Sequence, residues 1–333
     1  MNSKLKHLLE EKKLDALLLV NGSHPRFDPN FTYFTGLDDY SGSIALVGDK
    51  TEVYVPEFEV LRAKIESKKS CKVFERPIKF SELTKRLKSM KLGVNGSALT
   101  IEQSRELKKS KIKMLDVGRD LRNMRMIKSA DEIEKLRKAV RISKGFHNQT
   151  YRDKTEREIA ADFYHYITEK GCKASYDPVI AYDARAALPH SKFTEGRGSK
   201  CLLIDAGAAW KGYKGDITRT YMLKSDKKLK EIYDIVKTAQ GMGIDAVASG
   251  VKAAEVDKVV RDYLKKHGYD LIHATGHGIG LNVHEKPYIS DKAVEVLEPG
   301  MVFSIEPGIY IKGKYGVRIE DDVLVTKTGR KVL

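Results

Sequence analysis

Two apolar segments of this chain each end in a carboxylate, and each is followed by a second acid at hairpin distance. In the first, residues 201–204 read Cys-Leu-Leu-Ile and lead into Asp205, and Asp216 follows a glycine-containing stretch. A turn centred on Trp210 and Lys211 predicts a hairpin with Asp205 directly opposite Asp216, their Cβ atoms about 5 Å apart. Because like charges repel at that distance, the pattern predicts a bound cation. The alternative is that the two acids cap a turn or face solvent.

The same pattern recurs nearer the C-terminus. Residues 302–305 have the composition of an apolar strand, which ends at Glu306. Glu320 occupies a strand position beyond a turn centred on Gly313, so this turn also sets two acids opposite each other. Two such pairs predict four carboxylates that converge on one site.

A glycine-rich segment supplies a candidate nitrogen ligand. Residues 275–280 read Thr-Gly-His-Gly-Ile-Gly, so His277 lies where the backbone can approach other groups closely. One alternative is a histidine in the core or in a turn. Another is a dinucleotide-binding loop, which fits poorly because Pro287 follows and no helix pattern begins after the glycines. Four carboxylates balance two divalent cations, and with the imidazole they favour manganese, cobalt, iron or zinc.

The net charge identifies no partner. Among 333 residues, 61 Lys and Arg outnumber 46 Asp and Glu, a net charge of +15 that invites a nucleic-acid binding hypothesis. The excess is +6 in residues 1–120 and +9 in residues 121–333, without a basic tail. A distributed excess argues for solubility and against a nucleic-acid surface.

The order of local patterns predicts two domains, residues 1–120 and 121–333. The first contains a buried strand over 16–20 and a hairpin over 43–47 and 51–55. After the boundary, Ser129 and Glu132 predict a capping box at the start of a helix. Further helices are expected over 228–248 and 253–267, with strands over 201–208 and 216–223.

Cysteine usage and the start of the chain indicate the compartment. The three cysteines are far apart and form no CxxC pair, which fits a reducing environment (Cys71, Cys172 and Cys201). The chain begins with a charged amphipathic stretch, and no apolar run approaches the length of a membrane span. We therefore expect a cytoplasmic protein with no membrane partner.

Five motifs, taken together, resemble the M24 metallopeptidases, and within them most of all the prolidases, which are Xaa-Pro dipeptidases. They comprise residues 203–207, 215–220, 276–280, 305–308 and 317–321, in the order and spacing of that family. Residues 30–36 are similar to a creatinase-type N-terminal domain, and residues 125–132 are typical of the segment that joins the two domains. The resemblance therefore covers essentially the whole chain.

For the fold and cofactor, the resemblance implies a creatinase-like α/β N-terminal domain followed by an α+β pita-bread catalytic domain. It also implies two divalent metal ions per subunit, with Asp216 and Glu320 bridging them. The implied ligands are Asp205, Asp216, His277, Glu306 and Glu320.

For the reaction, the resemblance implies hydrolysis of Xaa-Pro dipeptides by a hydroxide that bridges the two metals. Glu306 would carry the water proton to the leaving proline nitrogen. His284 and His190 would polarise the substrate carbonyl or hold its carboxylate, and Arg318 would orient Glu320. His267 and His273 are expected to be structural. A homodimer is a further expectation from the resemblance.

Three alternatives stay open at this point. Aminopeptidase P shares the fold and the ligands but acts on longer Xaa-Pro peptides, and a non-catalytic relative would bind nucleic acid or protein. Methionine aminopeptidase fits less well because it normally lacks the N-terminal domain. The chain also departs from the usual prolidase loop at Arg185 and at Ser191, where a glycine commonly follows the histidine.

Overall fold

The computed structural model describes residues 3–22, 27–151 and 153–333. It consists of two compact units, Met1–Met124 and Arg125–Leu333.

The first unit is an α/β domain built on one six-stranded sheet. Its elements in chain order are α1 (Ser3–Lys12), β1 (Ala16–Asn21), α2 (Pro29–Thr35), β2 (Ser43–Val47), β3 (Thr51–Tyr54), α3 (Val60–Glu66), β4 (Cys71–Val73), α4 (Phe80–Arg86), β5 (Lys91–Val94), α5 (Ile101–Lys109) and β6 (Lys113–Asp116), followed by α6 (Gly118–Met126).

The sheet of this unit is mixed, with the strand order β4-β3-β2-β1-β5-β6. Every residue of β1 is buried, because β1 is a central strand that pairs antiparallel with β2 and parallel with β5. The antiparallel pairing of β2 with β3, in which Val47 lies opposite Thr51, confirms the predicted hairpin. A strand buried on both faces needs a continuous apolar sequence, which residues 16–20 provide.

The second unit contains the carboxylate hairpins. Its elements are α7 (Ala130–Phe146), α8 (Glu156–Glu169), β7 (Lys173–Ala174), β8 (Val179–Tyr182), β9 (Cys201–Asp205), β10 (Ala208–Trp210), β11 (Tyr213–Lys214), β12 (Thr218–Met222), α9 (Lys227–Asp245), α10 (Ala253–Lys266), β13 (Gly276–Gly278), β14 (Glu285–Ile289), β15 (Val302–Ile305), β16 (Gly308–Ile311), β17 (Tyr315–Arg318), β18 (Asp321–Thr326) and β19 (Gly329–Val332).

The strands of this unit pair antiparallel in several small sheets. Two three-stranded sheets have the orders β12-β9-β8 and β11-β10-β7, and a five-stranded sheet has the order β14-β13-β15-β18-β19. β16 and β17 form a separate two-stranded ribbon. The capping box of Ser129 and Glu132 starts α7 as predicted, with both of its hydrogen bonds formed.

Helices cover both faces of β9, which ends at the first candidate ligand. Leu203 belongs to a core cluster with α9 and α10, and Leu202 and Ile204 belong to a second cluster with α7 and α8. Because successive strand residues point to opposite faces, an uninterrupted apolar run satisfies both clusters. Asp205, at the end of that run, is thereby held at a fixed point of the sheet.

Within the part of the chain that the structure describes, none of the helices is both long enough and apolar enough to cross a membrane.

Candidate metal centre

The first hairpin brings Asp205 and Asp216 to the same side but not directly opposite each other. In the pairing of β9 with β12, Asp205 lies opposite Thr218, so the predicted register was wrong by two residues. A shift of two residues preserves the face, because side chains alternate along a strand. The two carboxylates are therefore diagonal neighbours.

The turn of this hairpin explains the shift. Trp210 pairs with Tyr213, which leaves a two-residue turn at Lys211 and Gly212 in place of the predicted turn centred on Trp210 and Lys211. The turn residues have positive φ angles of 50° and 81°. Such angles are typical of the tight turns that match the twist of a hairpin, and glycine adopts them without strain.

The second hairpin has the predicted register. Ile305 lies opposite Asp321, and Gly308 lies opposite Arg318. The same register continued through the intervening residues sets Glu306 across from Glu320. The turn centred on Gly313 is confirmed by the pairing of β16 with β17 on either side of it.

His277 lies on β13, between the two hairpins in the sequence and beside Glu306 in space. Its Nε2 is 3.2 Å from Oε1 of Glu306 and 3.7 Å from Oδ2 of Asp216. Its backbone N–H donates to Oγ of Ser304 on the neighbouring strand β15. A Cβ at position 276 would lie 1.8 Å from the Ser304 carbonyl oxygen, so only glycine permits this approach.

Hydroxyl groups contact several of the carboxylate oxygens. The Tyr176 hydroxyl contacts Oδ1 of both Asp205 and Asp216. The Thr218 hydroxyl donates to Oε2 of Glu320 at 2.7 Å. The Ser304 hydroxyl donates to Oε1 of Glu306 at 3.1 Å.

Arg318 contacts a different carboxylate from the predicted one. Its Nη2 donates to Oδ2 of Asp205 at 2.6 Å, and its Nε donates to Thr218 Oγ1 at 3.2 Å. Thr218 lies between Arg318 and Glu320 and hydrogen-bonds both, so the role of Arg318 in orienting Glu320 stays a prediction. Its Nη1 donates to the Tyr310 hydroxyl, which also contacts Nε2 of His273.

Burial and mutual repulsion disfavour ionisation of the central acids. Burial, with the charge of Asp205, raises the pKa of Asp216 well above its usual value. Burial, with the charge of Asp216, does the same to the pKa of Glu320. Burial raises the pKa of Asp322 to about 7, although its Oδ2 accepts a hydrogen bond from the Asp216 backbone N–H. A cation placed among these acids would reverse the unfavourable charge balance.

His277 and Glu306 each shift the pKa of the other. Burial alone would lower the pKa of His277, but its hydrogen bond and charge interaction with Glu306 raise it above the ordinary value. Conversely, burial alone would raise the pKa of Glu306, and His277 lowers it. Without a cation, both pKa shifts favour an imidazolium beside a carboxylate. A metal ion that binds the imidazole must displace this proton.

The donor set fits a metal ion. One atom each of Asp216, His277 and Glu320 lies within 4.8 Å of the others. Among the described residues, the buried Oε1 of Glu320 has no hydrogen-bond partner, which is costly unless a ligand or ion satisfies it. Asp205 is joined to this group through Tyr176, and Glu306 is joined to it through His277.

All five predicted ligands line one cavity of about 610 Å³. Its wall also includes His190, His284 and Arg318, so the structure brings together every candidate site residue. The His284 ring centroid lies 4.2 Å from that of His277, and burial and the charge of His277 lower the pKa of His284. His190 is exposed.

Sequence reasoning did not find several residues of this cavity. Tyr176 and Tyr310 had no assigned role, and His273 was expected to be structural, although it lines the cavity and bonds Tyr310. The position of His273, four residues before His277, was the sequence signal that could have placed it in the cavity. An isolated tyrosine such as Tyr176 carries no comparable signal, since tyrosines occur both in cores and near the surface.

Comparisons with known proteins agree with this geometry. The sequence matches the profile of metallopeptidase family M24 over residues 134–327 and that of the creatinase/prolidase N-terminal domain over residues 2–127. It is 37% identical to a Xaa-Pro dipeptidase of Pyrococcus furiosus, covering 99% of this chain and 96% of the relative.

Solved structures are similar over the same extent. The prolidase from Pyrococcus horikoshii has a TM-score of 0.88 at 36% identity and covers 99% of this chain and 97% of its own. The X-Pro aminopeptidase from Thermotoga maritima has a TM-score of 0.89 at 28% identity, with coverages of 99% and 97%. Both domains expected from the sequence therefore have counterparts.

Proposed function

Because this chain belongs to metallopeptidase family M24, with a creatinase-type N-terminal domain and a pita-bread catalytic domain, we propose that it hydrolyses Xaa-Pro dipeptides and releases proline. The observation that carries the proposal is the convergence of four acids and His277 in one cavity. Similarity to Xaa-Pro dipeptidases over nearly the full length of both chains supports the substrate class.

We propose that two divalent ions, manganese, cobalt, iron or zinc, bind at this centre. Members of the family use divalent metal ions, and this donor set of oxygens and one imidazole suits them. The ligands in this proposal are Asp205, Asp216, His277, Glu306 and Glu320, with Asp216 and Glu320 shared between the ions. When bound, the ions ionise water at neutral pH and stabilise negative charge on the carbonyl oxygen.

The chain's own residues transfer the proton. In our proposal, the Glu306 carboxylate accepts a proton from the attacking water and delivers it to the amide nitrogen of the leaving proline. Ser304 holds Oε1 of Glu306, which restricts the carboxylate to one orientation. A fixed acceptor close to the scissile bond lowers the entropic part of the barrier.

His284 and His190 would contact the substrate. His284 is a neutral donor near the centre, since burial and the charge of His277 lower its pKa, and it is suited to polarise the substrate carbonyl. His190, which is exposed, is suited to hold the substrate carboxylate. Arg318 maintains the position of Asp205.

The reaction is tested by proline release from Met-Pro. The protein is stripped with a chelator and then supplied with one metal at a time. We expect no hydrolysis without metal, restoration by at least one of the four ions, and complete loss in Asp216→Ala and Glu320→Ala. Asp234→Ala removes an exposed acid from α9 and serves as the control, with unchanged activity. Full activity after chelation would contradict the proposal.

Aminopeptidase P activity is the second candidate. Its support is the likeness to the X-Pro aminopeptidase from Thermotoga maritima, which is as close in TM-score as the prolidases. Release of the first residue from a Xaa-Pro-Yaa tripeptide, faster than cleavage of Met-Pro, would favour it. Salt-dependent DNA binding without metal-dependent hydrolysis would instead favour a non-catalytic binding protein.

We also propose a cytoplasmic homodimer. Its support is a row of exposed apolar side chains at helical spacing in the first unit, Phe58, Leu61 and Ile65. The cysteines are free, as expected in a reducing compartment. Sedimentation equilibrium of the wild-type protein and of Leu61→Asp would test the assembly.

A further inference from the structure

The segment that carries His190 is a long loop. Residues 183–200 connect β8 to β9, and apart from a short 3₁₀ helix at Asp183–Ala187 they form neither helix nor strand. His190 lies on this loop, lines the cavity and is exposed. A side chain in such a place is positioned only if other contacts hold the backbone on each side of it.

Glu156 on α8 holds this loop through hydrogen bonds. It is the first residue of α8, and its side chain is completely buried. Its carboxylate accepts hydrogen bonds from the backbone N–H of Tyr182 at 2.9 Å and of Thr194 at 2.7 Å. The Thr194 hydroxyl donates to the same carboxylate at 2.7 Å. One carboxylate thus joins Tyr182, the last residue of β8, to Thr194, which follows His190 in the loop.

Arg185 provides the cation for this buried acid. Its Nε lies 3.2 Å from each carboxylate oxygen of Glu156, and its side chain is partly exposed. A buried carboxylate without a cation is strongly unfavourable, so this pair holds the start of the loop on α8.

The same guanidinium also donates hydrogen bonds to the two residues directly after His190. Its Nη2 donates to Oγ of Ser191 at 2.9 Å and to the carbonyl oxygen of Lys192. Before the histidine, the Leu188 N–H donates to the backbone carbonyl oxygen of Arg185 at 3.0 Å and closes the 3₁₀ turn. The Arg185 side chain therefore joins Glu156 on α8 to the residues directly after His190.

Ser191 is a part of this arrangement that glycine could not supply. It is buried, with 6% of its surface exposed, and its hydroxyl accepts the hydrogen bond from Arg185. The two positions at which the chain departs from the usual prolidase loop thus contact each other.

We infer that Arg185 is a positioning residue that, through Glu156 and Ser191, fixes His190 at the rim of the cavity and so sets how tightly substrate binds. The inference rests on the proposed function, in which His190 holds the substrate. A loop already ordered in the free enzyme loses little conformational freedom on binding. A loop released from Arg185 must be ordered by the substrate itself.

The first test separates KM from kcat for Met-Pro hydrolysis by the metal-loaded enzyme. We expect Arg185→Gln to raise KM about tenfold with kcat changed less than about threefold, because the ordering cost falls on binding. Ser191→Ala should raise KM by about twofold to fivefold, since it removes one hydrogen bond. Arg185→Lys keeps the positive charge, but an ammonium group lacks the planar array of donors that bonds Glu156 and Ser191 together. Its KM should therefore lie between those of wild type and Arg185→Gln.

A double-mutant cycle distinguishes positioning from general destabilisation. If Arg185 acts through His190, Arg185→Gln should have almost no further effect on KM in a His190→Ala background. The matched control is Arg157→Gln, which removes an exposed ion pair with Glu195 between the same helix and the same loop. The control should leave KM unchanged in both backgrounds.

Hydrogen exchange of residues 188–199 gives a readout that does not depend on activity. Exchange should accelerate in Arg185→Gln and Ser191→Ala but not in Arg157→Gln. The inference is overturned if exchange and KM match wild type, or if the KM effect persists in full without His190. A wild-type protein that cleaves no Xaa-Pro substrate contradicts the proposed function. The hydrogen-exchange data alone then decide whether Arg185 orders the loop.

Discussion

At the scale of single residues, the candidate ligands are held in place by partners that are not ligands. Asp205 bonds Tyr176 and Arg318, Glu320 bonds Thr218, and each of these contacts occupies one carboxylate oxygen. The second oxygen of Glu320 has no partner among the described residues. Ligands restrained in this way bind a cation with less reorganisation than flexible ones.

Tyr176→Phe tests this restraint. The substitution keeps the ring but removes the hydroxyl that contacts both Asp205 and Asp216. We expect metal affinity to fall by about tenfold to a hundredfold, the range usual for a partner of a metal ligand. A competition titration against a chelating dye measures it. Tyr164→Phe, which removes a hydroxyl bonded to the Asp177 carboxylate at the surface, is the matched control. Equal affinities in the two variants would refute the role of Tyr176.

At the scale of elements, each pair of acids belongs to one hairpin, and the turn decides its register. In the first hairpin, the turn at Lys211 and Gly212 sets Asp205 opposite Thr218. In the second, the turn around Gly313 leaves the register as predicted. The turn residue with positive φ is therefore as important to the site as the strand pattern.

Gly212→Val tests the first turn. Valine at a φ of 81° is strained, so we expect the free energy of unfolding to fall by about 1–3 kcal/mol. Gly212→Asn should cost less, because asparagine tolerates left-handed backbone. Urea unfolding of the metal-free protein measures both. Equal stability of the two variants would show that the turn adopts a different conformation.

The strands and the ligand types could be predicted from the sequence, but the detailed contacts could not. Apolar runs ending in Asp205 and Glu306 predicted the first strand of each hairpin, because a strand buried on both faces has a nearly continuous apolar sequence. The register of the first hairpin depended on whether Lys211 or Gly212 was second in the turn, which strand periodicity does not determine. Arg318 and Asp205 lie on strands of different sheets. The alternation of side chains along one strand therefore cannot predict that they contact each other.

At the scale of the whole molecule, the net charge of +15 coexists with a buried acidic centre. Charges distributed over the surface are screened by water and salt, whereas the central acids are buried and interact strongly. The behaviour of the protein with pH is therefore determined more by a few buried groups than by its many lysines.

We expect the metal-free protein to lose stability as pH rises from 6 to 9. Acids with a raised pKa, Asp216 and Glu320, favour folding while protonated, and that contribution is lost as pH rises. His277, whose pKa is raised to about 9, contributes below pH 6.5 and loses that contribution toward pH 9. Glu306, with its pKa lowered to about 2, contributes a constant amount over this range.

The His277 shift alone should lower the free energy of unfolding by about 3 kcal/mol between pH 6 and 9, and the two acids act in the same direction. Urea denaturation with a chelator present measures the decrease. In saturating Mn²⁺ the trend should weaken or reverse, because protons compete with the metal for His277. Metal-free stability that rises over this range would contradict the assignment of the raised pKa values.

The division of the centre between two hairpins has a consequence for how the chain folds. Each hairpin closes a short loop and can form early, but about 90 residues separate Asp216 from Glu306. Joining the two halves is a long-range event with a large entropic cost, and folding rate falls as such separations grow. Because the candidate ligands come from both hairpins, the full donor set exists only after this step, late in folding.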